Sequence, residues 1–174
     1  MADARALADQ GIQLLEAGRY EAAAMAFIAA RRADLDSPDL AFDLGLAWLR
    51  EGRPRDALAA FDDALRLGGE NADLLCNQGL ALFDLGKTTE AESFYRRALQ
   101  LSPKHPESAN NLGVAMFRLG RCAEARELFM LAVSERADYY DAWFNLRDTC
   151  AELGLAAERD NAASMVADLQ GHHT

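Results

Sequence analysis

The chain has 174 residues, 51% of them hydrophobic and 26% charged, and its 28 acidic against 18 basic side chains leave a formal charge of −10. That composition builds a packed core and excludes a disordered chain. The acidic balance excludes a nucleic-acid binder, which needs a basic face to displace counterions, and a surface that docks on anionic lipid.

No apolar run approaches the ~20 residues that cross a bilayer. Met1 to Leu15 lacks the basic-then-apolar order of a leader. Cys76, Cys122 and Cys150 have no paired spacing, which suits a reducing compartment. The expected location is the cytoplasm, with no membrane insertion and no nucleic acid among the partners.

In chain order, the patterning predicts helices over 3–17, 20–34, 38–51, 54–67, 72–85, 88–101, 106–119, 122–135, 140–153 and 156–169. The punctuation between them is legible. Ser37-Pro38-Asp39 is a helix start: a capping hydroxyl, a proline where the missing N–H costs nothing, and an acid at the positive helix end. Leu44, Trp48 and Leu49 share one face before Glu51-Gly52-Arg53-Pro54, where Gly52 ends one helix and Pro54 opens the next. Gly18, Gly52, Gly86, Gly120 and Gly154 recur every 34 residues. Gly11, Gly45, Gly79 and Gly113 share that period, as do Ala23, Ala57, Ala91 and Ala125, then Ala30, Ala64, Ala98 and Ala132. A large ring recurs at Phe27, Phe61, Tyr95 and Phe129. Linkers are short and uninterrupted, so the chain reads as one domain.

A helix hairpin repeated at 34 residues with these small and aromatic positions resembles the tetratricopeptide repeat family over essentially the whole chain. The resemblance implies an all-α fold: a right-handed α-solenoid of antiparallel helix hairpins with four full repeats, 4–37, 38–71, 72–105 and 106–139, and a degenerate C-terminal capping unit, 140–170. It places each Gly11-type glycine at a crossing with its Ala23-type alanine. In the last unit Trp143, Leu146 and Gly154 match. Arg147 and Arg159, however, replace the small pair, Ala163 replaces the ring and Val166 stands at the last small position. Helix 140–153 is expected to pack on the fourth unit and 156–169 to cap it more loosely.

Catalytic chemistry has no constellation to rest on, so the chain reads as a non-enzyme without cofactor or metal. His105, in Ser102-Pro103-Lys104-His105-Pro106, reads as a solvent-facing turn residue, and His172 and His173 as tail residues. The cysteines read as small apolar packing groups, and Asp62-Asp63 as a solvated outer face.

The resemblance further implies that the first helix of each hairpin lines a concave groove where a protein or peptide partner lies. Its groove positions hold Asn77, Asn111 and Asn145 at one phase, with Asn110 beside one of them. An Asn amide offers donors and an acceptor to a peptide unit; the alternative is that each bonds locally. The floor is apolar: Ile12, Leu46, Leu80 and Val114, then Leu15, Leu49, Phe83 and Phe117, with Phe42 and Phe144. The candidate peptide-binding set is therefore Asn77, Asn111, Asn145, Asn110, Phe42, Leu46, Leu80, Phe83, Val114 and Phe117. Asp9, Asp43 and Asp84 point at the same groove, while Asp39, Asp73, Glu107 and Asp141 answer the helix dipole. The Lys and Arg set with which heat-shock co-chaperones of this family grip a terminal carboxylate is missing. The expected function is a non-catalytic interaction scaffold holding an extended or helical segment. The alternatives are a self-associating scaffold, a possible homo-oligomer using the Ile28, Ala29, Met130 and Leu131 positions, or a secretion-type chaperone for an apolar segment.

Overall fold

A computed structural model describes residues 3–33 and 36–171. Among the described residues ten helices follow one another: α1 Ala4–Glu16, α2 Tyr20–Ala33, α3 Pro38–Arg50, α4 Pro54–Gly68, α5 Ala72–Asp84, α6 Thr88–Leu101, α7 Pro106–Arg118, α8 Cys122–Glu135, α9 Tyr140–Glu152 and α10 Ala156–Gly171. No strand occurs among the described residues. The chain divides into two compact units, 1–87 and 88–174, so the division falls between α5 and α6. His172 and His173 lie outside the described residues.

The helix ends follow the expected chemistry. Ser37 caps α3 by accepting the Leu40 N–H, and Asn71 caps α5 by accepting that of Leu74. At the far end of α3, Gly52 takes φ +76°. Its N–H reaches the Leu49 carbonyl while the Arg53 N–H reaches back to Trp48, a pairing that needs the left-handed turn. Gly18, Gly86, Gly120 and Gly154 repeat that positive φ.

The hairpin interior shows a contact that the sequence did not assign. A Cβ placed on Gly11 or Gly113 would stand 2.6 Å from Cε1 of Phe27 or Phe129 respectively, and one on Gly45 would run into Phe61. The glycines make room for the ring of the partner helix. Ala23, Ala57 and Ala125 are fully buried beside those rings. In the first unit Phe27, Phe61, Trp48 and Leu74 anchor one core that includes Ala23, Ala30, Ala57 and Ala64.

In the last hairpin the bulk has changed sides: Arg147 stands where the glycine would be and Ala163 where the ring would be. The Arg147 guanidinium lies 4.0 Å over the Phe144 ring and bonds Asp148. α10 buries Ala162 and Val166, where α8 buries Ala125, Phe129, Ala132 and Val133. α10 thus buries fewer of its residues than α8.

One polar expectation fails and a second holds in part. His105 is not solvent-facing: its side chain is 14% exposed. It caps α7, with Nδ1 accepting the Ser108 N–H at 3.1 Å. Its place directly before Pro106 puts it at the N-cap, where any side-chain acceptor is useful. Asp62 is exposed, as expected, and Asp63 half-buried, but each is also bonded. Asp63 bridges Arg31 and Arg66, each at 2.8 Å, and their hydrogen bonds hold its carboxyl below the usual carboxylate range. Asp62 accepts from Nε2 of Gln78, a fully buried amide on α5. Cys76 and Cys150 are buried packing groups, as expected, while Cys122 is half-buried at the start of α8.

Candidate functional site

Each unit has its own first-helix face, carried by α1, α3 and α5 in one and by α7 and α9 in the other. In the first unit Ile12 is 42% exposed, and Leu15, Leu46 and Leu49 are half-buried against the core. Leu80 and Phe83 on α5 are half-buried as well. Phe42 packs tilted on Phe61, with ring centroids 5.7 Å apart. Its outer side faces a hollow of about 270 Å³ shared with Pro38, Asp39, Ala64, Gly68 and Leu74. Asn77 donates to the Asp73 carbonyl of its own helix at 2.8 Å. That is the local bond weighed in the sequence, a familiar habit of Asn within a helix. Burial pushes the carboxyls of Asp43 and Asp84 up, and Asp39 adds repulsion at Asp43.

In the second unit the sequence candidates converge. Asn110 is buried at 5% exposure. It accepts from Nδ2 of Asn145 at 3.0 Å, and its own Nδ2 donates to Oδ1 of Asn111 at 3.3 Å. The three carboxamides form one chain across α7 and α9. Beside it Val114, Phe117, Phe129, Asn145, Asp148 and Thr149 line a notch of about 120 Å³. That is well below the ~300–1,000 Å³ of small-molecule sites and suits a single side chain. Phe129, whose ring also fills the Gly113 gap, is 1% exposed, whereas Phe117 keeps 39% of its surface open. Thr149, fully buried, donates its hydroxyl to the Asn145 carbonyl. The rim is charged: Asp148 is bonded by Arg147 at 2.7 Å.

Asp148 and Thr149 were not singled out in the sequence. The signal was available in the phase, since Asp148 falls 34 residues after Val114, where Ile12, Leu46 and Leu80 also sit. Among the described residues no group of three or more His, Cys, Asp or Glu is placed to hold a metal ion. None of the described helices is long and apolar enough to cross a membrane.

A run of antiparallel hairpins with a ring seated against a glycine defines a helical repeat protein. The tetratricopeptide repeat profile matches residues 8–72, 49–106 and 76–142, and the chain belongs to that family. Its members serve protein–protein interaction and are generally non-catalytic. No curated protein matches the sequence significantly.

Several solved structures share the fold. MamA is 19% identical over 94% of this chain and 95% of its own, with a TM-score of 0.77. YrrB, described as a TPR protein with an unusual peptide-binding site, is 23% identical over 98% of this chain and 88% of its own, with a TM-score of 0.69. PilF of Pseudomonas aeruginosa is 22% identical over 95% of this chain and 75% of its own, with a TM-score of 0.85.

Proposed function

We propose that the chain is a non-catalytic protein–protein interaction scaffold whose α7/α9 face holds a segment of a protein partner. The observation that carries the reading is the juxtaposition of a side-chain-sized notch, walled by Val114 and Phe117, with the Asn111–Asn110–Asn145 carboxamides. The notch suits an apolar side chain and the amides suit the backbone beside it. Phe117 and Phe144, both more than a third exposed, extend the apolar surface, and such patches mark binding sites. The peptide-binding site named for YrrB fits the same reading.

The test is affinity capture from the source cell by the parent, Val114→Asp and Met25→Asp chains. Met25, 58% exposed on α2, is the control. A charge on the notch wall has no partner when the ligand excludes water. Val114→Asp is therefore expected to lose the captured partner and Met25→Asp to keep it. Equal capture by all three refutes the site.

Self-association has one observation in its favour. Met130, 40% exposed, borders an open cleft of about 490 Å³ with Val133, Trp143 and Leu146. Light scattering over a concentration series separates that reading from capture of a different protein.

A further inference from the structure

The fourth repeat contains a contact that the second repeat lacks. Arg136, directly after α8, bonds the Glu107 carboxylate at 2.6 Å and lays its guanidinium 3.8 Å over the Tyr139 ring. Glu107 stands in the first turn of α7, behind Pro106. A carboxylate there answers the positive end of its helix, and it still takes a guanidinium. Two repeats earlier, Pro38 and Asp39 hold the same places on α3, but Gly68 replaces the arginine. A Cβ at Gly68 would lie 2.8 Å from Cβ of Pro38, so the end of α4 closes on the start of α3 and leaves no room for a side chain. Asp39 is exposed and has no ion-pair partner among the described residues.

The hollow of about 270 Å³ beside Phe42 is bordered by Asp39, by Gly68 and by Asp73 in the first turn of α5. It is smaller than the ~300–1,000 Å³ of small-molecule sites and suits one long side chain. Carboxylates and a ring face are what a guanidinium uses, through N–H bonds in its plane and stacking on its face. A lysine ammonium is a point charge with no plane to stack. The field in the hollow has the matching sign. Burial, and then the Asp39 charge, raise the Asp43 carboxyl one turn along α3, and a cation seated beside Asp39 relieves that repulsion.

We propose that the hollow between α3, α4 and α5 is a seat for an arginine side chain of a protein partner, with Asp39 and Asp73 holding the guanidinium and the Phe42 ring flanking it. The segment that supplies the arginine is basic, complementary to the chain's charge of −10. Arg136 on Glu107 and Tyr139 is the chain's own example of the contact. The seat belongs to the unit 1–87 and stands independently of the α7/α9 reading.

The experiment uses the full chain and three capped peptides of serine and glycine with a central arginine, lysine or citrulline. Citrulline keeps the shape of arginine without its charge. Each peptide is titrated to millimolar concentration and followed by NMR at the backbone amides of Gly68 and Gly69 and at the Phe42 ring. The arginine peptide should move these signals and bind about tenfold more tightly than the citrulline peptide, the loss of one charge-assisted bond. The lysine peptide should fall between them. Asp39→Asn should weaken the arginine peptide by about two- to fivefold, the scale of an exposed ion pair, and leave the citrulline peptide unchanged. Glu51→Gln removes the same charge at the far end of α3 and should change neither.

Equal binding of arginine and citrulline peptides by the parent overturns the proposal without any variant. An equal loss in Asp39→Asn and Glu51→Gln overturns it too, because the effect is then one of net charge. A lysine peptide that binds as tightly as the arginine peptide overturns the guanidinium seat in favour of a general cation surface. Absence of any shift at Gly68 and Gly69 with all three peptides overturns the seat altogether. The α7/α9 site, read by Val114→Asp, is untouched by each of these results.

Discussion

Gly113→Ala should change sign with its background. In the parent, the new Cβ would lie 2.6 Å from Cε1 of Phe129 and 2.9 Å from Cδ1 and Cζ. Carbon atoms rest at about 3.5–4.0 Å, so the ring would have to retreat by about 1 Å. Phe129 is 1% exposed and Ala125 and Ala132 on the same helix are fully buried, so there is little room to retreat. Overpacking of this kind costs about 1–3 kcal/mol. Alanine returns about 0.5–1 kcal/mol of helix propensity over glycine. The net expectation is a loss of about 1 kcal/mol. Phe129→Leu removes the ring edge that causes the clash, at a cost of its own of about 1–2 kcal/mol for the lost packing. Adding Gly113→Ala to Phe129→Leu should then stabilise by about 0.5–1 kcal/mol. The coupling is thus about 1.5–2 kcal/mol, well above the ~0.5 kcal/mol within which independent sites add. Urea denaturation of the four chains, followed by circular dichroism at a helix wavelength, measures it. A Gly113→Ala effect of the same sign and size in both backgrounds would refute the ring-against-glycine account.

Gly120→Ala should behave differently. Its φ of +75° is strained for an L residue, yet nothing lies within 4 Å of the added Cβ. The loss should be about 1 kcal/mol, with no dependence on Phe129→Leu. Asp43→Asn should stabilise the chain at neutral pH. Burial and Asp39 raise the Asp43 carboxyl, so the folded state holds its proton more tightly than the unfolded one. The charged form therefore destabilises as pH rises through and above the usual carboxylate range, and the advantage of Asn should vanish in acid. Denaturation midpoints of both chains at acid and neutral pH check this, and an advantage that grows in acid would contradict it. His105→Ala should cost about 1 kcal/mol through the lost cap on Ser108, and His105→Asn should restore most of it. Equal midpoints for parent and His105→Ala would remove the cap from the account.

The helices were legible because their ends are chemical statements. Ser37 with Pro38, and each glycine of the Gly18 series, mark a boundary by local physics, and the structure places those ends within two residues of expectation. The contact inside each hairpin was less so. Glycine, alanine and the aromatic recur at one period, and period alone does not say which pair touches; the close approach of Phe129 to Gly113 does. Side-chain polarity was the least legible. His105 looked like turn filler because N-cap acceptance depends on a rotamer that spacing cannot show. The bond that exposed Asp62 accepts was hidden because its partner Gln78 stands where Leu44 and Leu112 stand in neighbouring units. The row of Asn111 and Asn145 was visible as periodicity. The bond that joins them runs through Asn110, one residue off the phase, and only the packing of α7 on α9 brings it there.

The ion pairs between neighbouring hairpins have a consequence for how such a chain could be rearranged. Arg31 meets Asp63, Arg121 meets Glu92, Lys104 meets Glu135 and Arg126 meets Glu158, each pairing adjacent repeats but at a different place in the repeat. The seat of a ring against a glycine recurs in three of the hairpins; these charges do not recur. If the fourth hairpin were spliced directly behind the first, Leu131 would stand where Asp63 stands, and Arg31, whose side chain is 17% exposed, would lose its carboxylate. The order of the hairpins is thus written as an address at the three junctions these pairs span. Duplication or shuffling of repeats, the obvious route by which such arrays lengthen, would be resisted at the seams rather than in the core.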